Sequence, residues 1–104
     1  MILMLGSFRV APDRVRTLTN HARAMLHAAQ DEDGCLGYAI SQDIDEPGLM
    51  HIEARWTTQE ALDEHRRRPH AVAWRLAQAE IGVMAQTLQT FDLPGEETGI
   101  GPGS

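Results

Sequence analysis

The chain has 104 residues, with 15 acidic and 9 basic side chains, 5 histidines, 1 cysteine and 42% hydrophobic residues. This length predicts a single soluble domain, because a chain of about 100 residues can bury roughly two-thirds of its surface in one core, so that any active site shares the walls of that core. The net charge of −6 argues against a nucleic-acid partner, since phosphate binding depends on clustered positive charge.

The first half of the chain predicts a strand, a helix and a second strand. Residues 2–10 are apolar on both alternating sets, as in a strand covered on both faces. Pro12 suits the first position of a helix, and apolar residues then recur every three or four positions, which predicts a helix over 12–30. Residues 35–43 alternate loosely as a strand, and the sequence Asp-Glu-Pro-Gly at 45–48 favours the turn of a hairpin.

The hairpin's second strand is predicted over residues 49–56, where an apolar row alternates with a mostly polar one. The apolar row ends at Trp56. Thr57 followed by Glu60 is typical of a capping box, in which the threonine oxygen accepts a backbone N–H and the glutamate reaches back to the cap. A second helix is therefore predicted to start at Thr58.

The remaining elements follow from proline and glycine positions. Pro69 interrupts the second helix and can begin another helical piece that runs to about Ile81. Residues 85–93 predict a last strand. The glycine- and proline-rich residues 94–104 predict a mobile tail, so that the folded domain is expected over 1–93.

The order strand, helix, strand, strand, helix, strand predicts an α+β fold of the ferredoxin-like βαββαβ type, an antiparallel four-stranded sheet with the helices on one face. The other face of the sheet would then be bare, although the first strand is apolar on both sides. A monomer rarely exposes such a patch. We therefore expect a homodimer that packs sheet against sheet.

The cellular location is predicted from three absences. Cys35 is the only cysteine, so no intrachain disulfide can form and the cytoplasm is expected. The apolar start at residues 1–5 lacks the basic leader of a signal peptide. No stretch approaches the roughly 20 apolar residues that cross a bilayer, so no membrane association is expected.

Four segments together resemble the antibiotic biosynthesis monooxygenase family, including its quinol monooxygenases. They are DGCLGY at 33–38, EARWT at 53–57, EALDEH at 60–65 and PHAVAW at 69–74. The resemblance implies a dimeric α/β barrel with a pocket between sheet and helices in each subunit. It also implies oxygenation of an electron-rich aromatic, such as a quinol or a polyketide anthrone, with dioxygen as co-substrate and without flavin, metal or haem.

A second hypothesis stays open, namely a non-catalytic dimeric protein of the same fold that binds a small molecule or is associated with a stress response. A third, haem binding or degradation, is argued against by the residues at the corresponding places. In the haem-degrading relatives an asparagine, a tryptophan and an axial histidine stand where this chain has Ser7, His65 and Arg75.

Cofactor-free oxygenation requires a base that ionises the substrate in a dry pocket, and histidine suits that role near neutral pH. His65 lies on the apolar side of its helix and is the first candidate for the base. The alternative is a histidine that closes the helix before Pro69. His70 is a candidate for binding the substrate, or else a structural donor at the corner between the helices.

Candidate walls and donors complete the predicted site. Trp56 and Trp74 could wall a pocket for a flat aromatic, or simply pack in the core. The hydroxyl groups of Tyr38 and Ser7 could donate to a substrate oxygen, or else form hydrogen bonds only with the backbone or with water. No metal site is predicted, because His65 and His70 are five residues apart with a proline between them, and not four apart on one helical face.

Overall fold

The computed structural model describes residues 1–94, in which four strands and three helices form the predicted sequence of elements. The predicted tail, apart from Pro94, lies outside the described residues. The strands are β1 (Ile2–Arg9), β2 (Cys35–Gln42), β3 (Leu49–Trp56) and β4 (Met84–Asp92), and the helices are α1 (Val15–Gln30), α2 (Gln59–Arg67) and α3 (Pro69–Ile81).

The four strands form one sheet in the order β2-β3-β1-β4, with every neighbouring pair antiparallel. This is the predicted ferredoxin-like α+β fold. On β3 the alternate residues from Met50 to Trp56 are buried, whereas His51 and Glu53 between them are exposed. The helices therefore cover one face of the sheet, and among residues 1–94 nothing covers the other, which is called the open face below.

The core lies between the sheet and the helices. Its largest fully buried side chains are Phe8, Leu18, Met25, Trp56 and Leu62. The outer face of β1 is not covered by residues 1–94, in contrast to the prediction for this strand, since Leu5 is 40% exposed.

Two helix starts differ from the prediction. Residues Pro12–Arg14 form one turn of 3₁₀-helix before α1 begins at Val15. The N-cap of α2 is Thr58 and not Thr57, and the Thr58 hydroxyl accepts from the backbone N–H of Ala61 at 3.1 Å. The backbone N–H of Thr57, which the predicted capping box pairs with Glu60, instead donates to the carbonyl of Gly34 at 2.8 Å.

Strand β4 is the least covered element of the sheet. Among the strands of residues 1–94 it pairs only with β1, and all nine of its residues are exposed. Within residues 1–94, no helix combines the length and the apolar character that crossing a bilayer requires.

Candidate functional site

A cavity of about 530 Å³ opens between the sheet and the two helices α2 and α3. A volume of this size suits a small organic molecule. Apolar and aromatic side chains line part of it, and polar side chains line the rest, namely His65, Arg66, Arg75, Gln78 and Gln86. The inner wall includes Met4, Tyr38, Ile52, Leu62, His65 and Trp74.

His65 is placed at this cavity by the last turn of α2, one turn after the buried Leu62. His65 is 5% exposed. The centroid of its ring lies 4.7 Å from that of Trp56 and 5.7 Å from that of Tyr38. Burial lowers the pKa of His65, with the contact to Glu32 acting in the opposite direction. The ring is therefore neutral at neutral pH, as a general base must be.

Glu32, in the turn after α1, holds the other side of the His65 ring. Its carboxylate oxygen Oε2 lies 2.6 Å from His65 Nδ1 and 2.7 Å from His70 Nε2. The Glu32 side chain is only 8% exposed. A buried carboxylate accepts hydrogen bonds, so the proton of the neutral His65 ring lies on Nδ1 and the Nε2 lone pair is left free.

Glu32 was not among the predicted site residues. The acidic run at 31–33 predicts only a turn, and no helical period relates it to residue 65. The signal that could have found it is the hairpin register, which pairs Cys35 with Trp56. That pairing places the end of α1 beside the start of α2.

The structure brings three of the predicted side chains to the cavity and leaves three away from it. His65, Tyr38 and Trp74 line it. Trp56 is fully buried behind His65, and its indole N–H has no hydrogen-bond partner among residues 1–94. Because Trp56 lies in contact with the His65 ring, it supports that ring from behind instead of forming the cavity wall.

His70 and Ser7 lie elsewhere. His70, in the first turn of α3, is hydrogen-bonded to Glu32 on the side away from the cavity. Ser7 is on the open face of the sheet, where its hydroxyl lies 3.0 Å from that of Thr87. A serine at an odd position of β1 points away from the helices, so it cannot reach a ligand in this cavity.

Two arginines bring positive charge to the cavity. Arg66 and Arg75 both line it, and Arg75 donates to the backbone carbonyl of Arg66 at 2.8 Å. Guanidinium groups stay charged at any ordinary pH. The cavity therefore suits a guest that is apolar over most of its surface and carries or develops a negative charge.

Tyr38 is expected to resist ionisation. Burial raises its pKa to about 12. Because Tyr38 is the only tyrosine, an ultraviolet titration should show phenolate forming near pH 12 in the folded protein and near pH 10 in urea. The neutral form is favoured by folding, so this contribution to stability is complete below pH 10 and is lost as the pH rises through 12. A folded-state midpoint near pH 10 would contradict the buried, neutral phenol.

Three side chains at the site carry metal-ligand chemistry. Glu32, His65 and His70 offer one carboxylate oxygen and two ring nitrogens, all within 4.8 Å of one another. The prediction of no metal site rested on the spacing of His65 and His70 along the sequence and on the single cysteine, and it did not consider a carboxylate from another element. The break at Pro69 and the turn holding Glu32 bring these groups together by another route.

A family profile and a related protein sequence both match this chain. Residues 1–76 match the profile of the family described as antibiotic biosynthesis monooxygenase. The chain is 31% identical over 80 residues to Rv0793 of Mycobacterium tuberculosis, a candidate monooxygenase, and this match covers 77% of the chain and 78% of the relative.

Solved structures share the fold. The structure of Rv0793 matches with a TM-score of 0.82 at 26% identity and covers 93% of this chain and 98% of that one. A candidate antibiotic biosynthesis monooxygenase from Deinococcus radiodurans matches with a TM-score of 0.85 at 22% identity, over 90% of this chain and 93% of that one. The second likeness, at its lower identity, concerns the fold alone.

Proposed function

Because the chain belongs to the antibiotic biosynthesis monooxygenase family, we propose that it is a cofactor-independent monooxygenase whose substrate is an electron-rich aromatic. The substrate class is a quinol, an anthrone or a polyketide-like phenol. Dioxygen is the co-substrate, and no flavin, metal or haem takes part. The family supports the reaction type, and the cavity supports the substrate class.

One observation carries the proposal, namely the His65 ring at the cavity wall with its Nδ1 bound to a buried carboxylate. Glu32 fixes both the tautomer and the orientation of the ring, so that Nε2 is the free acceptor. A carboxylate behind a histidine also stabilises the imidazolium that forms when Nε2 takes a proton. This is the arrangement that a general base needs.

The proposed reaction starts with ionisation of the substrate. His65 Nε2 takes the proton of an acidic C–H or O–H group, and the resulting anion transfers one electron to dioxygen. The substrate radical and superoxide then combine, which forms a C–O bond. The proton then returns from His65 to the distal oxygen, which gives a hydroperoxide. The carbon that bears it loses its second hydrogen as a proton while the O–O bond breaks, so a C=O bond forms, and the released hydroxide takes up that proton and leaves as water. For an anthrone, the methylene becomes a carbonyl, so substrate and dioxygen give a quinone and water.

The remaining cavity residues serve binding. Tyr38 and Trp74 present flat surfaces on which an aromatic ring can pack, and the neutral Tyr38 hydroxyl can donate to a substrate oxygen. Arg66 and Arg75 favour the anion over the neutral substrate. Stabilising the ionised substrate lowers the barrier to electron transfer, because the anion is the form that reduces dioxygen.

Oxygen uptake tests the proposal directly. The full chain is incubated with a panel of hydroquinones and anthrones, with and without a chelator, in an oxygen electrode, and products are identified by mass spectrometry. The proposal expects uptake that a chelator does not lower, with one atom from ¹⁸O₂ in the product. Binding without uptake would favour the non-catalytic alternative. Stoichiometric haem binding with a Soret shift would favour the haem branch.

We also propose that the protein is a homodimer joined through the open face of the sheet. Leu3 and Phe91 are paired neighbours on this face, next to Leu5, and Leu5 and Phe91 are 40% and 42% exposed. An apolar row on the bare side of a sheet favours burial against a second copy. The partner would also cover part of β4.

The dimer is testable by mass in solution. Light scattering after gel filtration should give a mass of twice the 11.5 kDa of one chain. The variant Leu5→Arg should give the mass of a single chain, because burying an unpaired arginine in the dimer interface is costly. Leu76→Arg is the matched control, since Leu76 is 66% exposed on α3 and the mass should not change. A parent protein that runs as a single chain at micromolar concentration would exclude this dimer.

A further inference from the structure

The Glu32 carboxylate faces two surfaces of the molecule. On one side His65 separates it from the cavity. On the other side Glu32 and His70 line a surface groove of about 390 Å³. We propose that Glu32, His65 and His70 bind a divalent transition-metal ion such as Zn²⁺ from this groove, and that the bound ion inhibits the enzyme.

The ligand set is one that such ions prefer. Two imidazoles and one carboxylate, with water in the fourth position, form a common tetrahedral zinc site. Neighbouring ligand atoms stand about 3.3 Å apart when bonds to zinc are about 2.0–2.1 Å long. The Glu32 oxygen lies 2.6 Å and 2.7 Å from the two ring nitrogens, and the three ligand atoms all lie within 4.8 Å of one another. Side-chain rotations that widen the two short distances and bring the two ring nitrogens to about 3.3 Å from each other would admit the ion.

The three ligands come from separate elements that the fold holds in place. His65 lies in the last turn of α2, His70 in the first turn of α3, and Glu32 in the turn after α1. The His65 and Glu32 side chains are 6% and 8% exposed, and that of His70 is 22% exposed. His70 is therefore the ligand through which an ion from solvent first enters.

The charge of the groove favours a cation. Asp31, Glu32 and Asp33 line it with three carboxylates, against the single guanidinium of Arg68. Arg68 Nε lies 3.8 Å from Glu32 Oε1, and its side chain is 50% exposed. A half-exposed arginine can turn to solvent when a divalent ion takes its place beside the carboxylate.

The position of the ion predicts inhibition and not catalysis. The ion would bind Nδ1 of His65, which faces Glu32 and not the cavity. A neutral imidazole that binds a metal through Nδ1 carries its proton on Nε2. Nε2 would then donate into the cavity and could not accept a proton from the substrate. The inhibition rests on the proposed function, whereas the binding does not.

Cobalt(II) is the probe, because its visible absorption reports the ligand set. The chelator-treated full chain should take up one Co²⁺ per chain with a band typical of four-coordinate cobalt, and Zn²⁺ should abolish that band. Glu32→Gln and His70→Ala should each weaken binding at least about 100-fold, since loss of even an indirect partner costs about 10–100-fold. His51→Ala is the control. It removes the exposed histidine that pairs with Asp43 at 2.9 Å, and binding should not change.

The outcomes separate the two proposals. Co²⁺ binding that survives both Glu32→Gln and His70→Ala, or no binding below millimolar concentration, overturns the metal site. Circular dichroism checks that each variant is folded, and Glu32→Gln keeps the shape of the side chain. Where the chain consumes oxygen, Zn²⁺ should inhibit the parent at least tenfold more strongly than His70→Ala. Binding without any oxygen uptake would retain the site and overturn only the proposed function.

Discussion

Replacing His65 with alanine is expected to lower kcat/KM for oxygen uptake about 10²–10⁴-fold, the usual contribution of a general base. The loss should lie mainly in kcat, because Tyr38 and Trp74 still bind the aromatic ring. Glu32→Gln should also lower uptake, by a smaller factor, because Nε2 remains present but the ring is no longer held by a charge. Steady-state kinetics with an oxygen electrode measures both effects.

A spectroscopic measurement tells whether Glu32 fixes the tautomer of the His65 ring or only stabilises the fold. The ¹⁵N shifts of the His65 ring should show a proton on Nδ1 in the parent and a mixture of tautomers in Glu32→Gln. His27→Ala, at an exposed position of α1, is the control and should leave uptake unchanged. If His65→Ala retains uptake within threefold of the parent, His65 is not the base.

Phe8→Ala should cost about 3–5 kcal/mol of the free energy of unfolding, since it creates a cavity in the core. Phe8 is fully buried on β1, and its ring packs edge-on against Trp74 with centroids 6.2 Å apart. Domains are commonly stable by only about 5–15 kcal/mol. The variant should therefore lose a large part of its stability, and Trp74 should lose support at the cavity wall.

Urea unfolding followed by tryptophan fluorescence measures this loss. Phe8→Leu should recover much of the stability because it refills most of the volume. Val72→Ala, at a 39% exposed position of α3, should stay within about 0.5 kcal/mol of the parent. A cost below 1 kcal/mol for Phe8→Ala would mean that the core tolerates the void.

The fold could be predicted from the sequence because its signals are local and periodic. The alternation that ends at Trp56 marks one face of β3, and the break at Pro69 marks the border between α2 and α3. The helix start was wrong by one residue for a reason that lies outside the local sequence. Thr57 and Thr58 are both suitable caps, and the Thr57 backbone N–H bonds to Gly34, a distant residue that the sequence around α2 does not indicate.

The candidate site was harder to predict because it depends on how deeply each side chain is buried and on contacts between residues far apart in the sequence. The strand pattern gives the face on which Trp56 lies, but not that the His65 ring stands between it and the cavity. The contact of Glu32 with His65 joins residues 33 positions apart. It depends on the register of β2 against β3, which no local pattern supplies.

Strand β4 contributes residues to the cavity that are not part of the hydrophobic core. Gln86 and Leu88 line the cavity, yet both are exposed and belong to no part of the core. Substitutions at such positions usually change stability by less than about 0.5 kcal/mol, whereas changes at Ile52 or Leu62 would disturb packing. Evolution can therefore reshape the guest's surroundings along this edge at little structural risk, and an engineer can begin a search for new selectivity there.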